Sequence, residues 1–155
     1  MDAKHRTELL QKYRTGHQAV VDSLANLRDE ELDHSAVADE WTPRQIVHHI
    51  ADSEMTAAIR LRMLVTEDQP QIKGYDEKDY ARVLTRDRPI GPSLEAVHGA
   101  RESTLLILER LSEEEWRRTG THSELGPYSV EKWLEIYAAH CHDHAAQIKR
   151  SRGMA

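Results

Sequence analysis

The chain has 155 residues, 39% of them hydrophobic and 31% charged, with a formal net charge of -6. That length suits a single domain, 1–155, with a core of useful size. Acids and bases are interspersed, so no basic face for nucleic acid is expected. The apolar runs are far too short to span a membrane.

The N-terminal stretch "MDAKHRTELLQKY" has no apolar signal region, and a lone cysteine, Cys141, fits a reducing cytoplasm. Phe is absent, so three Trp and five Tyr supply the aromatic core, with Trp41 and Trp133 as its anchors. Ten histidines are present, and where they fall matters more than their number.

Helical periodicity dominates the chain and strand signals are nearly absent. A first helix is predicted over about 3–28, with Leu10, Tyr13, Val20, Leu24 and Leu27 on its buried line. The polar connection "DEELDHSAVADE" follows, with room for a short helical turn. In "WTPRQIVHHIAD", Thr42 caps a second helix, with Pro43 in its first position and Gln45 completing a capping box. This helix is expected to run to about Thr66.

The loop "EDQPQIKGYDEKD" leads to a short helical piece near Asp79–Leu84, ended by "TRDRPIGPS". Ser93 is expected to cap a third long helix reaching Leu111. "SEEEW" adds a turn, and "RRTGTHSELGPY" reads as loop. Ser129 caps the last helix, which runs to about Arg150. The expected fold is all-α: a four-helix bundle with a short extra helix in a long loop. Long loops leave an up-down-up-down order open.

Helical phase sorts the histidines. On the last helix Val130, Trp133, Tyr137, His140, His144 and Ile148 advance by three or four and form one inward stripe. His142 falls ~200° from His140 and, with Asp143, belongs to a solvated face. On the second helix, Ile46, Ile50, Ala57, Leu61 and Leu64 mark the apolar face. His49 lies at its edge beside Ser53, whereas His48 is expected in solvent. Glu54 sits at the other edge and needs a partner if buried.

His49, His140 and His144 thus converge as a three-imidazole site for Zn²⁺ or Ni²⁺, with a position left for water or a thiol. Ser53, Glu54 and Asp52 are candidates to fix the ligand tautomers. The bland alternative for His140 and His144 is a pair of core imidazoles satisfied by hydrogen bonds. The Glu that a zincin needs after its first His is replaced by Cys141, so a protease of that type is excluded. Cys141 is read as a packed side chain, His17 as a satisfied core histidine or a fourth ligand, and His98 as a helix-boundary residue. Tyr137 is core first and site-lining second.

"EWTPRQIVHHIADSEM", "LVTEDQPQIKGYDE" and "ELGPYSVEKWLEIYAAHCHDHAAQI" together resemble the DinB superfamily, most closely its YfiT-like branch. The resemblance spans Trp41 to Ile148. It implies a four-helix bundle holding a divalent metal, nickel or zinc, through His49, His140 and His144. Members include metal-dependent hydrolases and S-transferases that use low-molecular-weight thiols. The leading expectation is therefore a cytoplasmic, metal-dependent thiol S-transferase acting on small electrophiles, with Glu54 or Tyr137 assisting proton movement. A hydrolase is the alternative within the same class, and a non-catalytic metal-binding module the alternative outside it. The branch also implies a homodimer.

Overall fold

In the computed structural model, which describes residues 1–154, four long helices make the frame: α1 (Ala3–Ser23), α2 (Pro43–Thr66), α4 (Gly91–Leu108) and α6 (Val130–Ser151). A short 3-10 turn, Asp29–Glu31, and two small helices, α3 (Glu77–Leu84) and α5 (Glu113–Trp116), lie in the connections. The four-helix bundle expected from the sequence is present, and no helix of the described residues is long and apolar enough to cross a membrane.

Most helix starts follow local chemistry. Asp2 accepts from His5 N, Ser129 accepts from Lys132 N, and Thr42 and Gln45 bond reciprocally at the start of α2. Several boundaries differ from expectation, among them the end of α4, at Leu108 and not Leu111. α1 stops at Ser23, five residues early, and Asn26 takes a left-handed φ of 60° just beyond it. α4 begins at Gly91, so Ser93 lies inside the first turn and is not its cap.

The segment 117–128 is also more ordered than a loop. β2 (Thr119–His122) and β3 (Gly126–Ser129) pair antiparallel, and β1 (Gln71–Ile72) adds to β2 in parallel. Strands this short offer too few residues for a period of two to show.

Side-chain contacts give the helix order. Met1 meets Glu131 and His142 meets Lys12, so α1 and α6 run parallel. His48 meets Ser93 and Arg62 meets Thr104, so α2 and α4 also run parallel. α6 lies antiparallel to α2, with Trp133 Nε1 donating to Ala57 O at one end and His144 against His49 at the other. Parallel neighbours need a connection that travels back along the bundle. The 67–90 segment, with β1 and α3, is that return for α2 and α4.

The core has two apolar halves. One gathers Tyr13, Leu61, Leu64, Leu105, Tyr128 and Trp133. The other gathers Val20, Ile46, Ile50, Val97, Cys141 and Ile148. Between them on α2 and α4 sits a buried ion pair, Arg101 with Glu54, at 2.7 Å. Gly16 makes room for it: a Cβ there would lie 2.7 Å from Arg101 Nη2 and 2.9 Å from Cys141 Cβ.

Candidate metal centre

α2 and α6 bring His49, His140 and His144 together. One ring nitrogen from each lies within 4.8 Å of the others, close enough for all three to face one divalent ion. His49 Nε2 and His144 Nε2 are 3.1 Å apart, and the His140 and His144 ring centroids are 4.6 Å apart. The trio forms one wall of an open cavity of about 380 Å³, which Trp41, Glu77 and Gln147 also line.

The neighbours settle the ring tautomers. His140 Nδ1 donates to Glu54 Oε1 at 3.1 Å, and His144 Nδ1 donates to Gln147 Oε1 at 2.7 Å. Each bond uses Nδ1 and leaves an Nε2 lone pair for a cation. The electrostatics agree. Burial, reinforced by the adjacent imidazoles, lowers His49 to about 3. His144 is lowered to about 4, mainly by burial and then by His140. These rings are therefore neutral at neutral pH, as metal ligation requires.

Glu54 lies behind His140, away from the open side, at 1% exposure. Burial alone would push its carboxyl up, but the hydrogen bond from His140 and the charge of Arg101 hold it below the ordinary carboxylate range. Arg101 is anchored in turn by Tyr13 O and Tyr137 O, and its guanidinium lies 3.8 Å from the centre of the Tyr13 ring. Cys141 touches the same pair, and burial pushes its thiol far up, so it is a packed side chain and no nucleophile. For the same reason Glu54, His140 and Cys141, although mutually close, do not make a second cation site.

The profile of the DinB superfamily matches residues 12–148. The chain belongs to the DinB superfamily. Its sequence is 40% identical over 126 residues to a provisionally named metal-dependent hydrolase of Oceanobacillus iheyensis, covering 81% of this chain and 73% of the relative. A similarly named Bacillus cereus protein is 31% identical over 130 residues, 84% of this chain and 75% of that one. YfiT from Bacillus subtilis, described as a probable metal-dependent hydrolase with an unusual four-helix bundle topology, superposes with a TM-score of 0.90 at 25% identity. That match covers 100% of this chain and 91% of YfiT. A mycothiol-dependent maleylpyruvate isomerase shares the fold, with a TM-score of 0.74 at 15% identity over 96% of this chain and 63% of that one.

Several expectations need correction in this YfiT-like DinB protein. His48 is not solvated but buried at 1%: Ser93 Oγ lies 2.8 Å from its Nδ1, and its Nε2 donates to Arg88 O at 3.0 Å. The parallel packing of α4 and the turn before it cover that flank, which helical phase on α2 cannot foresee. His142 is half-buried against α1 through the Lys12 carbonyl, while Asp143 is exposed as expected. Trp41 packs against the second half of the core from its edge and is only partly buried, with its ring 5.0 Å from that of His49 at the cavity wall.

His17 stacks on His98 at 4.8 Å and is not among the three converging histidines. Of the proposed tautomer-fixing residues only Glu54 serves; Ser53 and Asp52 do not bond the trio. Two further residues of the site, Gln147 and Arg101, each leave a signal in the sequence. Gln147 follows His144 by three residues on one helix face. Arg101 interrupts the apolar line Val97, Leu105, Leu108, where a charge requires a partner.

Proposed function

We propose that this protein is a metal-dependent enzyme in which His49, His140 and His144 hold one zinc or nickel ion, and that it transfers a small thiol to an electrophile. The observation that carries this reading is the pair of oriented imidazoles, His140 on Glu54 and His144 on Gln147, with His49 opposite them at the wall of an open cavity. A divalent ion there supplies a Lewis-acid position that makes a water or thiol nucleophilic near neutral pH.

The chain's own groups do the rest. Glu54 keeps the Nδ1 proton of His140 in place and Gln147 does the same for His144, so neither ring turns away. Trp41 shields His49 from solvent. Cys141 is sealed, so the nucleophile comes from outside the chain. A cavity of about 380 Å³ is larger than a water requires and admits a thiol together with its acceptor. Tyr137, whose ring lies 5.5 Å from that of His140, is pushed up by burial, so it keeps its proton at neutral pH and can offer a hydrogen bond from its hydroxyl. Glu54, paired to Arg101, serves orientation more than proton transfer.

Hydrolysis is the second reading, favoured by the names of the relatives at 31–40% identity. Met55 and Ile59 stand exposed one turn apart on α2, and this apolar pair supports a homodimer. The free, buried Cys141 supports a cytoplasmic setting.

The test is conjugation of a bromobimane probe to cysteine and to low-molecular-weight bacterial thiols, with zinc or nickel added and removed. Metal-dependent conjugation that is lost in His140→Ala supports transfer. Thiol-independent cleavage of nitrophenyl esters would instead establish the hydrolase.

A further inference from the structure

Next to the three histidines, on the side of Tyr137, a smaller cavity of about 170 Å³ lies under β2 and β3. Arg60, Tyr75, His122 and Tyr137 line it. Arg60 is 9% exposed, yet its guanidinium meets no carboxylate: Nη2 donates to Lys73 O at 2.8 Å, and Nη1 lies 3.4 Å from the Tyr137 hydroxyl. Its Nε–H is buried without a partner. So are the Tyr75 hydroxyl and His122 Nε2.

The His122 tautomer is fixed by its other nitrogen. Backbone N–H groups of Glu124 and Leu125 donate to Nδ1 at 3.2 and 3.4 Å, so the neutral ring carries its proton on Nε2. His122 is 4% exposed, and burial beside Arg60 lowers its pKa, which keeps that neutral form. Among the described residues, three unsatisfied N–H and O–H donors and one guanidinium without a direct carboxylate contact therefore line a single cavity. Buried donors and charges of this kind require an acceptor.

We propose that this cavity is a carboxylate subsite, binding the acid group of a small substrate through Arg60, His122 Nε2–H and the Tyr75 hydroxyl. A carboxylate matches the single guanidinium charge and offers enough lone pairs for all three donors. A phosphate dianion would bring a second charge toward Glu77 and Glu124, which also line the cavity. Glu77 lines the histidine cavity as well, so the two spaces are neighbours. Tyr137 and His140 stand about one helical turn apart. If the metal reading above holds, on which this part rests, a short carboxylic acid held at Arg60 presents its reactive carbon toward the histidines.

The experiment uses the full chain stripped of metal, so that no Lewis acid competes for the probe. Propionate, its neutral isostere propionamide, and inorganic phosphate are titrated while the His122 Nε2–H resonance is followed by NMR. Propionate is expected to shift that resonance and saturate, propionamide to do neither, and phosphate to bind more weakly. Arg60→Gln is expected to weaken propionate roughly tenfold or more, as loss of a charge-assisted bond implies. Tyr75→Phe removes a hydroxyl that makes no close hydrogen bond, only a loose approach to Ser53, so it should weaken propionate several-fold while lowering the melting temperature little. That makes it the informative variant if Arg60→Gln fails to fold.

Equal responses to propionate and propionamide, tighter binding of phosphate, or an unmoved His122 signal would overturn the proposal and leave a hydrated cavity. Metal content, measured on the same protein before stripping, separates the two readings. Bound metal without propionate binding removes only the subsite, and propionate binding without metal removes only the metal centre.

Discussion

Two histidine clusters sit in this bundle, and they differ in what lies behind them. His17 and His98, across α1 and α4, stack at 4.8 Å, but among the described residues no carboxylate or amide side chain bonds either ring, and His17 meets the backbone of Leu94. His140 and His144 are just as close, at 4.6 Å, and each has its Nδ1 committed to a polar partner from the protein. Proximity of imidazoles is thus not what distinguishes the proposed metal centre. The distinguishing feature is the shell that fixes which nitrogen is free, and here that shell runs through Glu54 to Arg101 and on to the backbone of α1 and α6.

The largest effect that would sharpen this contrast is on metal content. The double variant His140→Ala/His144→Ala should fall from about one ion per chain to none by elemental analysis, whereas His17→Ala/His98→Ala should keep the ion. Retention of metal in the first variant would show that the wrong cluster had been chosen. Next comes the buried pair. Arg101→Ala leaves Glu54 charged and unpaired, so denaturant melts should show a loss of about 3–5 kcal/mol.

Glu54→Gln tests orientation more finely. Competition with a chromophoric chelator should report metal affinity lowered roughly tenfold to a hundredfold, because the amide no longer holds the imidazole proton as a carboxylate does.

Counted per pH unit and per histidine, the pH dependence of the metal-free chain is smaller still. His49 and His144 titrate near 6.5 when unfolded but are lowered to about 3 and about 4 when folded. The unfolded state therefore takes up protons first as pH falls. Stability from these groups is complete above 6.5 and declines as pH falls to about 4 for His144 and about 3 for His49, by at most about 1.4 kcal/mol per pH unit for each histidine. Melting temperatures that stay flat over that window would show that the rings are not desolvated. The least effect belongs to the other cluster, where His17→Ala should change metal affinity less than about twofold.

What the sequence determined by itself was the set of long helices and the histidines on one inward stripe. Both are local properties: Thr42, Pro43 and Gln45 start α2 through bonds within one turn, and His140 and His144 share a face because four residues make about one turn. The helical end of Ser129 and the inward turn of His49 are legible for the same reason. The tertiary structure alone decided the parallel pairing of α2 with α4. That pairing buried His48 against Ser93 and gave Glu54 its cation, because a residue's second flank is set by a helix far away in the chain. It also decided the small sheet. Strands of two to four residues carry almost no periodic signal, and β1 finds β2 only when the bundle brings residues about fifty positions apart side by side.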